Sequence, residues 1–457
     1  MKFWISKIRP HFFGIAVLGF TSCAVGPNYQ KPTVDVPPNW RWKKAEPQEA
    51  QSKGEWWKFF RDEKLDALEE EALKNNQDLK ASFARVDESR AKARVSASDF
   101  FPELHLDPAF QRQRTSANAP IPFPIKVPSI TQNSFSVPFD LSYEVDLWGR
   151  VRRSFESARD QAQATNADQL NLLLSITADV ARDYFSLRET DLELEILRQD
   201  EAYRGEALDL QEKRLKAGLT SQLDISRAKN ELFLVRGDLS QAKARRSELE
   251  ANLAVLCGQT ASSFKVSEYP LKGTPPSIPV GLPSSLLERR PDVAFAERTL
   301  AARNAEIGVA YAAFFPSVHL TGQAGMLSAE ASDLFSWESR VWSFGPSVSL
   351  PLFSNGRNLA TLKEARAAYE EAVAHYRQQV LIAFADVEQS LAQVQFYREQ
   401  ENALESAQQE SASVVDLIQQ KYKTGTGSYF EVITAQRDLG LRYSASIRLI
   451  KALGGSW

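Results

Sequence analysis

From residue 134 to residue 147 the chain alternates. Phe135, Val137, Phe139, Leu141, Tyr143, Val145 and Leu147 are apolar, while Ser134, Ser136, Pro138, Asp140, Ser142, Glu144 and Asp146 stand between them. A period of two over this length predicts a strand with one apolar and one polar face. The pattern returns later, with Trp342, Phe344, Pro346, Val348, Leu350 and Leu352 set against Ser343, Gly345, Ser347 and Ser349. Each strand has a predicted partner upstream. The first contains Leu104, Leu106 and Phe110, and the second Val318 and Leu320.

The period then changes. Residues 151–217 contain no Pro and a single Gly, Gly205, and residues 358–424 contain neither. Two helices are predicted, each about 100 Å long at about 1.5 Å per residue. Leu170, Leu173, Thr177, Val180, Tyr184 and Leu187 step by alternating threes and fours, as do Val380, Phe384, Val387, Leu391 and Val394. These stripes read as helix-packing seams. Each long helix runs into a glycine turn, at Gly218 and at Gly425. Gly supplies the left-handed residue that ends a helix, and Thr220 or Ser221, and Ser428, can cap the returning helices. Those returns are expected over 222–257 and 429–453. Incoming helices are expected over 65–100 and 292–314, ahead of the strands.

The chain therefore states one unit twice. Gly149-Arg150 recurs at Gly356-Arg357, 207 residues on. Phe100-Phe101-Pro102 recurs at Phe314-Phe315-Pro316, 214 residues on, so the first copy holds seven extra residues between the two motifs. A repeat this long is a duplicated structural unit. The expected division is 1–22, 23–61, 62–257 as repeat one, 258–283 as a linker, and 284–457 as repeat two. Within repeat one, 115–131 is a loop stiffened by Pro120, Pro122, Pro124 and Pro128, placed at the outer mouth.

Four long amphipathic strands cannot form a two-sheet core. They also fall short of the eight or so that a membrane barrel needs, and an open strand edge in lipid leaves N–H and C=O groups unsatisfied. The strands must be shared with further copies, and three chains give twelve. A soluble sandwich is disfavoured, since the strands reach the ~9–11 residues that cross a bilayer. A periplasmic coiled-coil spacer without a pore would have no use for amphipathic strands.

Composition narrows the reading. The 457 residues are 43% hydrophobic and 25% charged, and the formal net charge is −3. There are no apolar runs of about 20 residues, as helical transporters have. The four His stand at no ligand spacing, and two Cys leave little room for a disulfide framework or zinc site. With no phosphate loop, nucleophile elbow or HExxH string, no enzyme, cofactor or metal site is expected. A mildly acidic chain offers nucleic acid no electrostatic footing. The start reads as a targeting segment, with Lys2, Lys7 and Arg9 before a short apolar stretch from Phe12 to Phe20. Thr21-Ser22-Cys23 follows and resembles a bacterial lipobox, which implies that Cys23 becomes the lipidated first residue, with Ala24 fitting release to the outer membrane.

The accumulated strings resemble the TolC-like outer-membrane efflux proteins, in the lipoprotein branch that works with resistance-nodulation-division pumps. They are Cys23-Ala24-Val25-Gly26-Pro27-Asn28-Tyr29, Trp56-Trp57-Lys58-Phe59-Phe60, Leu282-Pro283-Ser284-Ser285-Leu286-Leu287-Glu288-Arg289-Arg290-Pro291-Asp292, and Ile307-Gly308-Val309-Ala310. The resemblance implies a mixed α and β fold: a trimeric twelve-stranded outer-membrane β-barrel, four strands per chain, continued by a long periplasmic α-helical barrel. It implies an outer-membrane exit duct, passively passing small toxic compounds delivered by an inner-membrane pump and a periplasmic adaptor. A protein-secretion duct of the same fold remains open on the residues alone. The implied periplasmic gate maps onto Asp224, Tyr422 and Glu431, with Gly427 where the family often has a basic residue and Thr434 where it has a second acid. Asp224 and Glu431 are equally first-turn acids of the kind a helix dipole favours. Met1 and Met326 are the chain's two methionines, which leaves no case for a methionine-lined copper route. Cys257 reads as a packed thiol.

Overall fold

The computed structural model describes residues 24–42, 54–118, 128–271, 275, 276, 278, 283–421 and 446–449. Two compact units are formed. One gathers the N-terminal segment to Asn28 with Val95–Glu156 and Asn304–Arg366, and the other holds the remaining chain. Both units draw on both repeats, so the compact units do not coincide with the sequence copies.

The first unit carries the strands. β1 (Glu103–Leu106) and β2 (Ala109–Arg114) both pair antiparallel with β3 (Thr131–Val145), β3 pairs with β4 (Ser317–Ser328), and β4 with β5 (Arg340–Ser349). β1 and β2 keep one register on β3 and are a single strand interrupted at Asp107-Pro108, where proline has no N–H to give the ladder. The sheet is thus four strands wide, as expected. The repeat holds at residue level. Shifting the β4–β5 pairs back by 214 and 207 residues turns Ser317↔Ser349 into Glu103↔Ser142, Leu320↔Pro346 into Leu106↔Phe139, and Met326↔Arg340 into Arg112↔Asn133, and all three are observed. The seven extra residues of the first copy therefore fall in the connection between Arg114 and Thr131.

The second unit is helical. α1 (Glu63–Asn75) is capped by Asp62, which accepts from Lys64 N and Leu65 N at 2.9 and 3.2 Å. A continuous incoming helix from residue 65 is not what forms. The buried Asn76 ends α1 and starts α2 (Gln77–Ser98), its Oδ1 accepting from Leu79 N at 3.0 Å and its Nδ2 donating to Leu256 O at 2.9 Å. An asparagine side chain competes with the helical backbone in this way. α3 (Arg150–Lys216), α4 (Gln222–Leu256), α5 (Pro283–Arg289), α6 (Pro291–Ala312) and α7 (Arg357–Lys421) follow. The residues of the second return, 429–453, lie outside the described residues apart from a helical stretch at 446–449.

The seams do the packing. Thr177, Val180, Tyr184 and Leu187 on α3 and Val380, Val387 and Leu391 on α7 are buried, whereas Leu170, expected in the stripe, is 47% exposed. They meet Trp56, Trp57, Leu65, Leu253, Val293 and Leu300 in one core. Burial of each large apolar side chain there is worth about 1.5–3 kcal/mol. Tyr184 donates to Asp62 Oδ2 at 2.7 Å, and Trp56 Nε1 donates to Thr177 Oγ1 at 3.1 Å, which satisfies these two polar tips. A smaller cluster of Leu194 and Leu197 with Val235, Leu239 and Ala242 joins α3 to α4.

Candidate channel wall, anchor and gate

The sheet sorts its residues by face. Residues directly opposite share a face, so Leu104, Leu106 and Phe110 lie with Phe135, Phe139, Leu141, Met326, Trp342 and Phe344. Met326 thus stands on the apolar face, opposite Val137. Glu103, His105, Asp140, Ser142, Glu144, His319, Thr321, Gln323 and Ser347 occupy the other face. The polar groups bond along and across the strands. Gln323 Nε2 donates to Asp140 Oδ1 at 2.8 Å, and His105 Nε2 lies 3.0 Å from Glu103 Oε1. The apolar face is uncovered among the described residues: Trp342 is 82% exposed and Phe344 70%. A sheet polar on one side and bare hydrocarbon on the other suits a wall between water and lipid.

The repeated Gly-Arg motif turns strand into helix. Asp146 accepts from the backbone N–H of Val151 and Arg152 at 3.2 and 3.0 Å, capping α3, and also takes Arg152 Nε at 3.0 Å. Gly149 and Gly356 both adopt positive φ, 85° and 81°, just before the two long helices. Arg150 grips Glu144 in a fork, with contacts of 2.8 and 2.6 Å. Trp148 stacks on Phe315 at 4.7 Å between centroids and donates Nε1–H to Pro316 O at 2.8 Å. The Phe-Phe-Pro and Gly-Arg motifs recur because together they make this corner.

The segment after Cys23 is fastened at the same corner. Val25 N donates to Trp148 O at 2.9 Å, Asn304 Nδ2 to Pro27 O at 3.1 Å, and Arg153 Nη2 to Asn28 Oδ1 at 2.7 Å. Gly26 has φ 89°, and a Cβ on it would stand 2.6 Å from the Gly308 Cα. The strap lies so close to the α6 backbone that residue 26, at positive φ, has room only for glycine, while a Cβ on Gly308 would meet the Arg153 side chain. Cys23 itself lies outside the described residues.

At the far turn, Leu219 N bonds to Arg214 O and Gly218 N to Leu215 O, both at 2.9 Å, with Gly218 at φ 73°. This is the Schellman-type stop the sequence predicts. Ser221 caps α4, and with Asp224 it forms a capping box. Asp224 Oδ2 accepts from Ser221 Oγ at 2.6 Å, Thr220 Oγ1 at 2.9 Å and Ser221 N at 3.1 Å. The Ser221 hydroxyl, then its backbone N–H and the Thr220 hydroxyl, hold the Asp224 carboxyl below its ordinary range. Asp224 is thus spent locally on its own helix start. The other gate positions, Tyr422, Gly427, Glu431 and Thr434, lie outside the described residues.

Two ion networks, one buried and one only partly so, have no counterpart in the sequence reading. Asp191 takes Arg188 Nη1 at 2.7 Å, Arg246 Nε at 2.7 Å and Tyr269 N at 3.0 Å. Arg290, in the motif before α6, contacts both Asp292 and Asp386, and Gln379 Nε2 donates to Asp292 Oδ2 at 2.7 Å. Burial works to raise the Asp292 carboxyl, but Arg290 outweighs it and holds the group low. The only hint of either network was charge at helical spacing inside apolar stretches. Cys257 is buried, and burial pushes its thiol up to about 12, which leaves it unreactive. Among the described residues no His, Cys, Asp or Glu group could hold a metal ion, and no helix is long and apolar enough to cross a membrane.

Residues 68–259 and 282–454 match the family described as outer membrane efflux protein. The outer membrane protein OprJ of Pseudomonas aeruginosa is 32% identical over 98% of this chain and 97% of its own length. The cation efflux system protein CusC of Escherichia coli K12 is 30% identical over 96% of this chain and 97% of its own. Among solved structures, the outer-membrane channel OprN superposes with a TM-score of 0.82 at 29% identity, over 95% of this chain and 99% of that one.

Proposed function

Given that this chain belongs to the outer membrane efflux protein family, we propose the working arrangement of the duct it forms. The protein is an outer-membrane exit duct of an efflux system. Three copies close one twelve-stranded barrel, with the face of Asp140, Thr321 and Gln323 toward water and that of Phe139, Trp342 and Phe344 toward lipid. The helices carry the passage into the periplasm, where an adaptor and an inner-membrane pump of the resistance-nodulation-division type deliver small toxic compounds. Transport is passive and no bond is made or broken. CusC, named as a cation efflux system protein, favours efflux over protein secretion or a spacer role. The observation that carries this arrangement is the four-stranded sheet with two unlike faces and two open edges. Within it, 1–22 is the leader, 23–61 and 258–283 are connecting segments, and 62–257 and 284–457 are the repeats.

The test has two parts. Purified protein in a planar bilayer should give discrete conductance steps, and native mass spectrometry should give three chains. Cells lacking the protein should retain a dye such as ethidium, and regain efflux on complementation. A bilayer that stays silent, or a monomer that conducts, would sink the arrangement.

The lipid belongs on Cys23. The following segment is tied down from Val25 to Asn28 beside the strand-to-helix corner, and this tether would hold an acyl chain at the level of the strand ends. Cys23→Ala should abolish labelling by radioactive palmitate. Labelling at the level of the unaltered protein would exclude this site.

The gate is assigned to Glu431 with Tyr422, while Asp224 serves mainly as a helix cap and contributes to the gate by holding the tip. In the three-copy arrangement Glu431 supplies three carboxylates, and a set of like-charged acids attracts cations. Glu431→Gln should therefore lower cation selectivity in bilayer recordings, and Tyr422→Phe with Asp224→Ala should raise conductance. Unchanged selectivity and conductance in these variants would place the gate elsewhere.

A further inference from the structure

The sheet leaves β5 with one unpaired edge and β1–β2 with another. Resting on the three-copy closure proposed above, we propose the register in which β5 of one chain pairs with β1–β2 of the next: Pro346 opposite Phe110, Ser347 opposite Ala109, and Phe344 opposite Arg112.

The inference comes from the repeat. Inside one chain, the second strand of the first hairpin pairs with the first strand of the second hairpin, β3 with β4. Between chains, the second strand of the second hairpin must meet the first strand of the first. These two seams are equivalent if each hairpin is one copy of the same unit. The shifts of 207 and 214 residues already carry one hairpin onto the other without error over the observed pairs. Moving β3 forward by 207 and β4 back by 214 turns Phe139↔Ala324 into Pro346 with Phe110, Asp140↔Gln323 into Ser347 with Ala109, and Val137↔Met326 into Phe344 with Arg112.

Three observations agree. The faces match, since polar-face Ser347 meets polar-face Ala109 and apolar-face Pro346 meets apolar-face Phe110. A slip of one residue would put every side chain on the wrong face. Phe344 and Phe110 are 70% and 60% exposed in the single chain, and the pairing sets each beside a neighbouring strand. At the internal seam Pro138 faces Gly325, where a Cβ would meet the Val137 carbonyl oxygen. The same shifts place Gly345 opposite Gln111 of the next chain. A Cβ on Gly345 meets nothing within 4 Å in the single chain, so that space is free for the neighbour. The glycine has changed strands and the seam keeps one.

A slip of two residues preserves the faces, so cysteine pairs must decide. Two pairs are needed, because antiparallel pairs on one face are of one hydrogen-bonding type and those on the other face are of the closer type. The full chain, in outer membranes treated with copper phenanthroline, would carry Ser347→Cys with Ala109→Cys, or Phe344→Cys with Arg112→Cys. Within one chain these residues are separated by β3 and β4, about 14 Å at about 4.8 Å per strand, too far for a disulfide. At least one pair should convert most of the protein into reducible dimers and trimers on a denaturing gel. The offset pairs Ser347→Cys with Gln111→Cys, and Ser347→Cys with Asp107→Cys, should yield little. A stronger ladder from an offset pair overturns the register, and so does an absence of cross-links in all pairs while native mass spectrometry still gives three chains. If the native mass shows no trimer, the closure itself falls and the register with it.

Discussion

Asp191→Ala is expected to lower the stability of the helical unit by about 3–5 kcal/mol, the usual cost of orphaning a buried charge. Asp191 and Arg188 have side chains 1% and 2% exposed. Arg188 Nε and Nη2 have no hydrogen-bond partner among the described residues, and the guanidinium lies 4.9 Å from the Tyr184 ring. Its charge is therefore balanced chiefly by Asp191. The same cluster secures the segment after α4: Arg188 Nη1 donates to Ser267 O at 2.7 Å, Arg246 Nη2 to Val266 O at 2.6 Å, and Tyr269 N reaches Asp191. Loss of the carboxylate should free this segment as well as strain the core. Guanidinium melts and limited proteolysis of the detergent-solubilised protein would read both effects, with new cleavage near residues 264–271. Arg246→Met should cost less, because its side chain is 12% exposed and the central pair survives. A change within about 0.5 kcal/mol, typical of an inert surface substitution, with an unchanged digest would refute this account.

Gly325→Val should block formation of the assembled barrel. An ideal Cβ at Gly325 stands 2.3 Å from the Val137 carbonyl oxygen and 2.7 Å from the Pro138 Cα. Those are backbone atoms in the middle of a ladder and cannot swing aside as a side chain would. The cost should exceed the ~1–3 kcal/mol of ordinary overpacking. Pro138 explains the close approach: it is a proline inside a strand paired on both sides, and the absent side chain opposite lets the ladder draw in around it. Gly322→Ala is the control, since its Cβ would meet Phe344 Cδ2 at 3.5 Å, an ordinary contact. Trimer in the outer-membrane fraction should fall sharply for Gly325→Val and stay level for Gly322→Ala. Equal yields would mean that β3 and β4 can separate at this point without loss.

The faces of the strands, the length of α3, the stop at Gly218 and the duplication were all legible in the chain, because each depends on neighbours in sequence. The Ser221 cap was legible too, although the pattern left Thr220 open as an alternative. The break at Asn76 was missed because a lone Asn inside an apolar-periodic stretch is ambiguous. It became a cap only once its amide found Leu256 O. Leu170 shows the converse: its spacing put it in the seam, yet it stays 47% exposed among the described residues.

Of the proposed site, Cys23, Tyr422 and Glu431 were selected by motif and by resemblance. Asp224 was placed by motif, while its triple engagement by Ser221 and Thr220 belongs to the fold.

What the sequence determined by itself was periodicity, and with it the apolar and polar faces, the helix lengths and the two-copy plan. Those follow from the geometry of strands and helices. What only the tertiary structure decided was which distant atoms meet. Gly26 lies on Gly308, Asp191 holds Arg188 and Arg246, and Arg290 joins Asp292 to Asp386. The long-range ones, Gly26 on Gly308, Arg246 on Asp191 and Asp386 on Arg290, depend on chain crossings tens to hundreds of residues apart, where no local propensity carries the information and where close packing and charge burial choose the partner.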